Sequence, residues 1–303
     1  MATATIISRI VGLDEIIPKP TSIEDASRED KDMEDLVPWM FQQSDMPQGE
    51  QLFRSLFREF IPYRRDIAHW KDSHSGKMGE TGIDVALKER AVITLPQKSW
   101  NVSDKQDYGD FIRQQGPILL SLLFDLSLSL DGIKFDSRVG LSVGGFKLKY
   151  VIGGTVYATR APGALQFGPA KSRCAYFIIY RRQTWEQFVT ETLCVMLGQL
   201  AANISHSRDK KLQDQEVFVT GFHGHHIHFA RGFFTADSVS RVQSAGCSEV
   251  EQFELMFSRG YDLGLKTDWL EATRGLARLL RYLLSGNAKV AVLQTELEKK
   301  VQN

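Results

Sequence analysis

Residues 137–185 read SRVGLSVGGFKLKYVIGGTVYATRAPGALQFGPAKSRCAYFIIYRRQTW, and this stretch decides the fold of the 303-residue chain. Apolar and polar residues alternate between Gly-rich turns, which predicts strands at Val139–Ile152, Thr155–Arg160 and Cys174–Tyr180. The stretch holds no Asp and no Glu. Its eight cations are Arg138, Lys147, Lys149, Arg160, Lys171, Arg173, Arg181 and Arg182. We therefore expect a basic sheet that attracts a polyanion. Because the whole chain is formally neutral, acidic residues elsewhere in the chain balance this charge.

Working outward, helical and strand patterns flank this sheet on both sides. The predicted helices are Glu50–His69, which Pro62 bends or ends, Asp110–Leu130, a helix that Thr184 and Gln187 cap, Asp268–Leu284 and about Lys289–Lys300. The further predicted strands are Ala91–Leu95, Glu216–Thr220 and Ile227–Phe234. The order predicts an α+β or mixed α/β fold with a central, mostly antiparallel sheet flanked by helices. Residues 50–303 form one predicted domain with a C-terminal helical addition.

Residues 1–49 are predicted to be an N-terminal arm followed by an acidic helix. Pro18 and Pro20 oppose a helix, so residues 1–20 are expected to be extended. Residues 22–35 carry seven acidic side chains against two basic ones. Two interpretations stay open for them: a solvated helical face, or a shield that competes with the ligand of the basic sheet.

Composition favours a cytoplasmic protein. The three cysteines show no metal-ligand spacing, and their odd number argues against a disulfide scaffold. The start at Met1 lacks the pattern of a signal peptide. The longest apolar run, Ile118–Leu130, is interrupted by serines and an aspartate, and it is too short to span a bilayer. We expect no membrane partner.

Arg181 and Arg182 end a predicted strand directly before a predicted helix, where ligands gather in sheets flanked by helices. With Arg160 at the end of the neighbouring strand, their guanidinium groups are suited to clamp a phosphate. Lys171 and Arg173 add charge in the same stretch. The alternative is a pair of solvated side chains, or an ion pair with Glu186.

Residues 222–228 read FHGHHIH and hold four of the seven histidines. On a strand, His226 and His228 share a face, but a zinc site needs a third or fourth ligand. No acid or cysteine lies nearby in the sequence, so we expect no metal site. A general base drawn from this cluster, His223 in particular, is the preferred interpretation.

Two common catalytic motifs are not supported. Residues 140–144, GLSVG, match the serine nucleophile pattern, but a strand pattern rather than a helix follows Ser142. The glycine pairs of the basic sheet lack the Gly-Lys-Ser/Thr ending of a nucleotide-binding loop.

A helix, a hairpin, a central strand ending in Arg-Arg, a long helix and a further strand follow one another. This order resembles the core of the PD-(D/E)XK nuclease superfamily, and most of all its stand-alone fungal proteins, in which a Trp-bearing helix like residues 184–188 (TWEQF) follows the central strand. The metal-binding acids are missing: Arg181 stands at the position of the lysine, Ile179 at that of the acid, and Pro162-Gly163 at that of the Pro-Asp pair. Metal-assisted hydrolysis needs such carboxylates, so the resemblance implies a scaffold without metal or cofactor.

Within that group the chain is similar to the fungal arginine-containing cyclodipeptide synthases of secondary metabolism. The resemblance implies a metal-independent enzyme that joins the amino acids of two aminoacyl-tRNAs and then closes the ring. Its implied tRNA-binding residues are Arg160, Lys171, Arg173, Arg181 and Arg182. Its implied catalytic residues are Glu186 or Glu191, which bind a substrate guanidinium, and His223 or Tyr180, which shuttle a proton.

Two alternatives come from other classes of protein. One is a non-catalytic nucleic-acid-binding protein on the same scaffold, and the other is a small-molecule enzyme that binds no nucleic acid. The near-zero net charge disfavours nucleic acid, whereas the acid-free stretch favours it.

Overall fold

The computed structural model describes residues 3–19, 23–41, 52–73, 91–96, 111–130, 139–168, 172–179, 185–206, 212–223 and 225–301. Within these ranges the chain forms one sheet of nine strands and eight α-helices, a mixed α/β fold. The strands are β1 (Thr3–Ile10), β2 (Ala91–Pro96), β3 (Val139–Ile152), β4 (Thr155–Phe167), β5 (Ser172–Ile179), β6 (Gln215–His223), β7 (His226–Phe234), β8 (Glu251–Phe257) and β9 (Tyr261–Asp262). The helices are α1 (Leu13–Ile16), α2 (Ile23–Asp35), α3 (Arg54–Ser73), α4 (Phe111–Ser129), α5 (Trp185–His206), α6 (Ala236–Ala245), α7 (Lys266–Leu284) and α8 (Ala291–Val301).

The strands follow the order β2-β1-β8-β7-β6-β5-β4-β3, and the short β9 pairs with β7. The β1–β8 and β5–β6 pairings are parallel, and the other six are antiparallel. The predicted mixed fold with a mostly antiparallel sheet is therefore confirmed. Helix α5 connects β5 to β6, as a parallel pair requires a crossover.

Two apolar cores cover the two faces of the sheet, because successive side chains of each strand point in opposite directions. In β6, Phe218 and Phe222 belong to the core formed with α3, α4 and α7, whereas Val217 and Val219 belong to the core formed with α5 and α6. The first core contains the fully buried Trp269 of α7. The protein is thus three layers thick, with the sheet in the middle.

Helix α5 is enclosed on both sides. A bulge separates Val143 from Phe146 in β3. After this bulge, β3 and β4 continue as a two-stranded antiparallel ribbon that lies over α5. The side chain of Leu148 lies against Gly198, and the Gly153 N–H donates a hydrogen bond to the carbonyl of Val242 in α6. A helix with apolar residues all round is stable only when it is buried in this way.

The extended arm expected at residues 1–20 is only partly correct: Thr3–Ile10 is extended, but as a strand inside the sheet, and Leu13–Ile16 forms helix α1. Strand β1 pairs with β2 on one side and with β8 on the other. Ala4, Ile6 and Ser8 are fully buried. The prolines that oppose a helix at residues 18 and 20 fit this result, but a pattern of propensities does not reveal that a strand's partner lies about 250 residues away.

The acidic helix α2 is neutralised by α7 rather than by the basic sheet. Arg278 is buried and donates hydrogen bonds to Glu29 at 2.5 Å and to Asp14 at 2.6 Å. Arg281 binds Asp32 through three contacts of 2.6–2.9 Å. These two acids of α2 therefore fasten it to the C-terminal part of the fold. This replaces the shield interpretation for them.

The part of the chain that follows β7 contains more than the predicted helical addition. Strands β8 and β9 and helix α6 lie between β7 and α7. In β8, Phe253, Leu255 and Phe257 are buried while Gln252 and Glu254 are exposed. Helix α6 begins where the Thr235 hydroxyl accepts a hydrogen bond from a backbone N–H.

Removal of the buried guanidinium should destabilise the fold. Arg278→Ala removes the guanidinium from Glu29 and Asp14, while Arg274 still lies 3.6 Å from Glu29 and Lys19 lies 2.6 Å from Asp14. Breaking a buried ion pair in this way costs up to about 3–5 kcal/mol. Chemical denaturation measures the free energy of unfolding. Arg65→Ala, at an arginine whose side chain is 73% exposed, is the control and should cost less than about 1 kcal/mol. Equal losses for the two variants would contradict this account of α2.

Candidate active site

The candidate site lies at the edge of the sheet where the parallel strands β5 and β6 both end. Ile179, the last residue of β5, pairs with Phe222. One residue later, His223 pairs with His226 across the turn between β6 and β7. The histidine-rich turn therefore lies beside the point where the chain leaves β5. Carboxyl ends of parallel strands are where ligands bind in sheets of this type.

Strand β9 brings an aspartate to the histidines. Asp262 pairs with His226 across the β7–β9 ladder, and its Oδ2 lies 3.4 Å from Nε2 of His225. The rings of His225 and His226 are 4.2 Å apart, centre to centre. One ligand atom from each of the three residues lies within 4.8 Å of the other two. Two imidazoles and a carboxylate thus converge, although Asp262 lies 36 residues after His226 in the sequence.

Asp262 is held by contacts from several elements. Its Oδ1 accepts the Gly264 N–H at 2.7 Å, and its Oδ2 accepts from the Arg64 guanidinium at 3.3 Å. Its own N–H donates to Asp268 at 2.9 Å. Burial raises the pKa of Asp262, but the hydrogen bonds from His225 and Gly264 and the positive charge of His225 and Arg64 outweigh it and lower the pKa to about 2. The carboxylate is therefore charged at neutral pH.

His228 supports the turn from inside the core. It is 1% exposed, and its ring lies edge-on to Phe188 of α5 with the ring centres 5.1 Å apart. Burial, with the charge of His226, lowers the pKa of His228 to about 3, so the ring is neutral. Neither ring nitrogen has a hydrogen-bond partner among the described residues. The ring packs directly on Gly221, where a Cβ would lie 2.1 Å from it.

The cations expected to act together are divided between two faces. Lys147 pairs with Arg160 across the β3–β4 ribbon, so the two exposed side chains share a face. Arg173 lies over the ring of Phe146 at 4.3 Å, and Phe146 points to the opposite face from its neighbour Lys147. The structure therefore does not bring Arg160 and Arg173 together. Lys171, Tyr180, Arg181 and Arg182 lie outside the described residues.

The other predicted site residues are also spread out. Glu186 lies exposed in the first turn of α5, at the site edge. Glu191 is buried, and its charge acts on the thiol of Cys194 in the same helix. His223 contributes its backbone to the β6–β7 turn. Glu186 is therefore the carboxylate of α5 that a solute can reach.

Neither Asp262 nor its contact with Arg64 is predicted by the sequence. No metal site is expected at the histidines, because no acid lies near them in the sequence. The missing acid comes from β9, a two-residue strand, and Arg64 comes from α3. A usable signal was present in residues 261–264, YDLG, where an aspartate precedes a glycine between a strand and a helix.

A separate apolar cavity of about 440 Å³ lies between the β3–β4 ribbon, α5 and α6. Tyr150, Leu200, Phe234 and Val239 line it, and Lys149 is its one charged residue among the described part of the chain. The titratable side chains of the described lining are Lys149 and Tyr150, and burial raises the pKa of the Tyr150 phenol. This lining offers neither an imidazole nor a carboxylate, so the proton transfer is assigned to the strand ends.

Comparison with known proteins leaves the chain without an assigned relative: no family model and no curated protein matches it. Within the described residues, Glu186–Ser205 is the one segment long and apolar enough to cross a membrane, with a mean hydropathy of 1.2. This segment lies in α5, and 78% of its most apolar stretch is buried inside the protein, which is typical of a core helix. The three cysteines are buried, and none of them forms a disulfide.

The residues present do not fit the magnesium site of a PD-(D/E)XK nuclease. On the resemblance drawn from the sequence, such a site would take carboxylates from β4 and β5, and residues 137–185 contain none. No step of a reaction is therefore assigned to that ion.

Support of the turn by His228 predicts a strong response at Gly221. Gly221→Ala places a methyl group against the buried ring and should cost about 1–3 kcal/mol of unfolding free energy by overpacking. Gly145→Ala is the matched control, because nothing lies within 4 Å of a Cβ there. Thermal or chemical denaturation of both variants checks this. A Gly221→Ala protein as stable as Gly145→Ala would contradict the packing described for His228.

Proposed function

We propose that the protein is an aminoacyl-tRNA-dependent enzyme that forms peptide bonds, of the arginine-containing cyclodipeptide synthase type. The observation that carries the proposal is the convergence of His225, His226 and Asp262 at the sheet edge where β5 and β6 end. In the sequence, Arg181 and Arg182 follow the last residue of β5 by two and three positions, and we propose that they hold the phosphates of the tRNA terminus while the cluster handles protons. A cytoplasmic location, where aminoacyl-tRNA is present, is part of the proposal.

The order of elements supports a degenerate PD-(D/E)XK scaffold. Helix α4 is followed by the antiparallel series β3, β4 and β5, then by α5, and then by β6, which is parallel to β5. This is the order on which the resemblance was drawn. The absence of acidic residues from β3 to the start of α5 agrees with a reaction other than metal-assisted hydrolysis of phosphodiesters.

The chemistry requires positioning and proton transfer. The amine of one aminoacyl group attacks the ester carbonyl of the other, a C–N bond forms, and the C–O bond to the ribose breaks. The nitrogen loses a proton, and the released ribose oxygen gains one, so no oxidant or nucleotide is consumed. The second amine repeats the step on the remaining ester and closes the ring. Holding the two esters together supplies most of the rate, because the ester is already activated.

Each step has a group in this chain. The cluster of His225, His226 and Asp262 takes the proton from the attacking nitrogen, since an imidazole nitrogen can act as a general base. The exposed carboxylate of Glu186 is placed to bind the guanidinium of an arginyl substrate through paired hydrogen bonds. Arg181 and Arg182 hold the terminal phosphates.

Product analysis tests the proposal. Expression of the chain in a bacterial host should release an arginine-containing cyclic dipeptide into the medium, detected by mass spectrometry against cells carrying the empty vector. His226→Ala should abolish the product or lower it at least about 100-fold, the usual contribution of acid–base catalysis. His69→Ala, which removes an exposed histidine of α3, is the control and should retain it.

Absence of a cyclic dipeptide would overturn the enzymatic proposal. If tRNA nevertheless co-purifies with the protein, the non-catalytic binding protein is the better description. If neither product nor RNA is found, the small-molecule enzyme takes its place.

RNA binding should depend on the arginine pair. Arg181→Ala with Arg182→Ala should weaken binding of aminoacyl-tRNA and lower the slope of log affinity against log salt by about one to two, since each lost phosphate contact removes nearly one released counterion. Filter binding at a series of salt concentrations measures both quantities. Arg65→Ala, on the exposed surface of α3, is the control. Unchanged affinity and slope in the double variant would move the RNA site elsewhere.

A further inference from the structure

The three groups at the strand ends have the chemistry of a metal site. Two imidazoles and one carboxylate are ligands that zinc and related divalent transition ions take in proteins. The three come from two elements that pair with each other, β9 and the start of β7 with its preceding turn. Their ligand atoms lie within 4.8 Å of one another. This set differs from a cluster of acids, which recruits magnesium or calcium.

The distance between Nε2 of His225 and Oδ2 of Asp262 is long for a hydrogen bond, and it matches the separation of two ligand atoms on one ion. Nε2 and Oδ2 are 3.4 Å apart, whereas N–H···O hydrogen bonds in proteins are about 2.7–3.2 Å long. Two ligand atoms about 2.0–2.1 Å from a tetrahedral ion lie about 3.3 Å from each other. An ion between these two atoms therefore needs almost no movement of either side chain.

Neighbouring groups hold the carboxylate of Asp262 in position. The Gly264 N–H donates a hydrogen bond to Oδ1, and the Arg64 guanidinium lies 3.3 Å from Oδ2. Hydrogen bonds of this kind orient a coordinating carboxylate and keep it charged. Arg64 is partly exposed, with 42% of its side chain accessible. When an ion binds, its guanidinium can keep donating to one lone pair of Oδ2, or it can turn toward solvent.

We propose that His225, His226 and Asp262 form a three-ligand site for a divalent transition ion of the zinc class, with the fourth position open to water or substrate. Three protein ligands and an open position are typical of catalytic rather than structural zinc. The ion's use in peptide-bond formation rests on the proposed function: an ion held by these residues would supply a bound hydroxide, in place of the free imidazoles, as the acceptor of the proton from the attacking nitrogen, and the water so formed would return that proton to the released ribose oxygen. Binding of the ion rests only on the three residues.

Zinc binding is measured on the full-length chain from which any affinity tag has been removed, after dialysis against a chelator. Isothermal titration with Zn²⁺ should give one site per chain. His226→Gln and His225→Gln should each weaken binding at least about tenfold, the lower end of what even a supporting residue contributes. His69→Gln, an exposed histidine outside the cluster, should bind as the unsubstituted protein does.

Cobalt gives an independent readout. Co²⁺ in place of Zn²⁺ should produce the intense visible absorption of a four-coordinate ion, and His226→Gln should remove it. Circular dichroism confirms that each variant is folded, which matters most for Asp262→Asn, because Asp262 also holds Gly264. The proposal is overturned if the folded protein takes up no Zn²⁺, or if His225→Gln and His226→Gln bind it unchanged.

Product analysis separates this proposal from the proposed function. A cyclic dipeptide made equally by chelator-treated and zinc-loaded protein in a purified reaction would preserve the enzyme and remove the ion's role in it. Zinc bound at the three residues without any dipeptide would preserve the site and overturn the enzyme.

Discussion

The contacts of Asp262 hold the strand-end region together. Its backbone pairs with β7, its N–H binds Asp268 in the first turn of α7, and its carboxylate meets the turn at Gly264 and the guanidinium of Arg64 in α3. One residue thus connects the sheet with helices from both ends of the chain. Because these contacts fix the carboxylate in position, the side chain of His225 meets it without any further adjustment.

The rest of the fold explains how that region stays in place. Helix α5 leaves the site and runs between the sheet and the β3–β4 ribbon, where it is buried almost completely. Its Phe188 packs on His228, which in turn packs on Gly221 below the histidine turn. On the other face, the Arg278 ion pairs join α2 to α7. The turn is therefore supported from inside the core, while its outer histidines remain partly accessible.

Local patterns predicted much of the fold, and long-range pairing explains most of what they missed. Alternation found β3, β5, β6 and β7, and helical periodicity found α3, α4, α5 and α7. Residues 251–257, EQFELMF, alternate between buried and exposed positions in β8. This alternation is a strand signal, but a C-terminal helical addition was expected there instead. The burial of β1 was not predictable from propensity, because its partner β8 lies far away in the sequence. For the site, the histidine turn was found, but its acid was not, because a two-residue strand carries no periodic signal. The cations were expected to act together on one ligand. Among the described residues, Lys147 and Arg173 lie on opposite faces, because side chains alternate along β3 and β5.

The account's central claim is that β9 and the histidine turn create one ligand-binding centre at the carboxyl ends of β5 and β6. Anomalous X-ray scattering at the zinc edge, from crystals grown with Zn²⁺, tests this most directly. The account predicts one strong peak about 2.0–2.1 Å from a nitrogen of His225, a nitrogen of His226 and an oxygen of Asp262. No peak there, or a peak bound only by other residues, would contradict it.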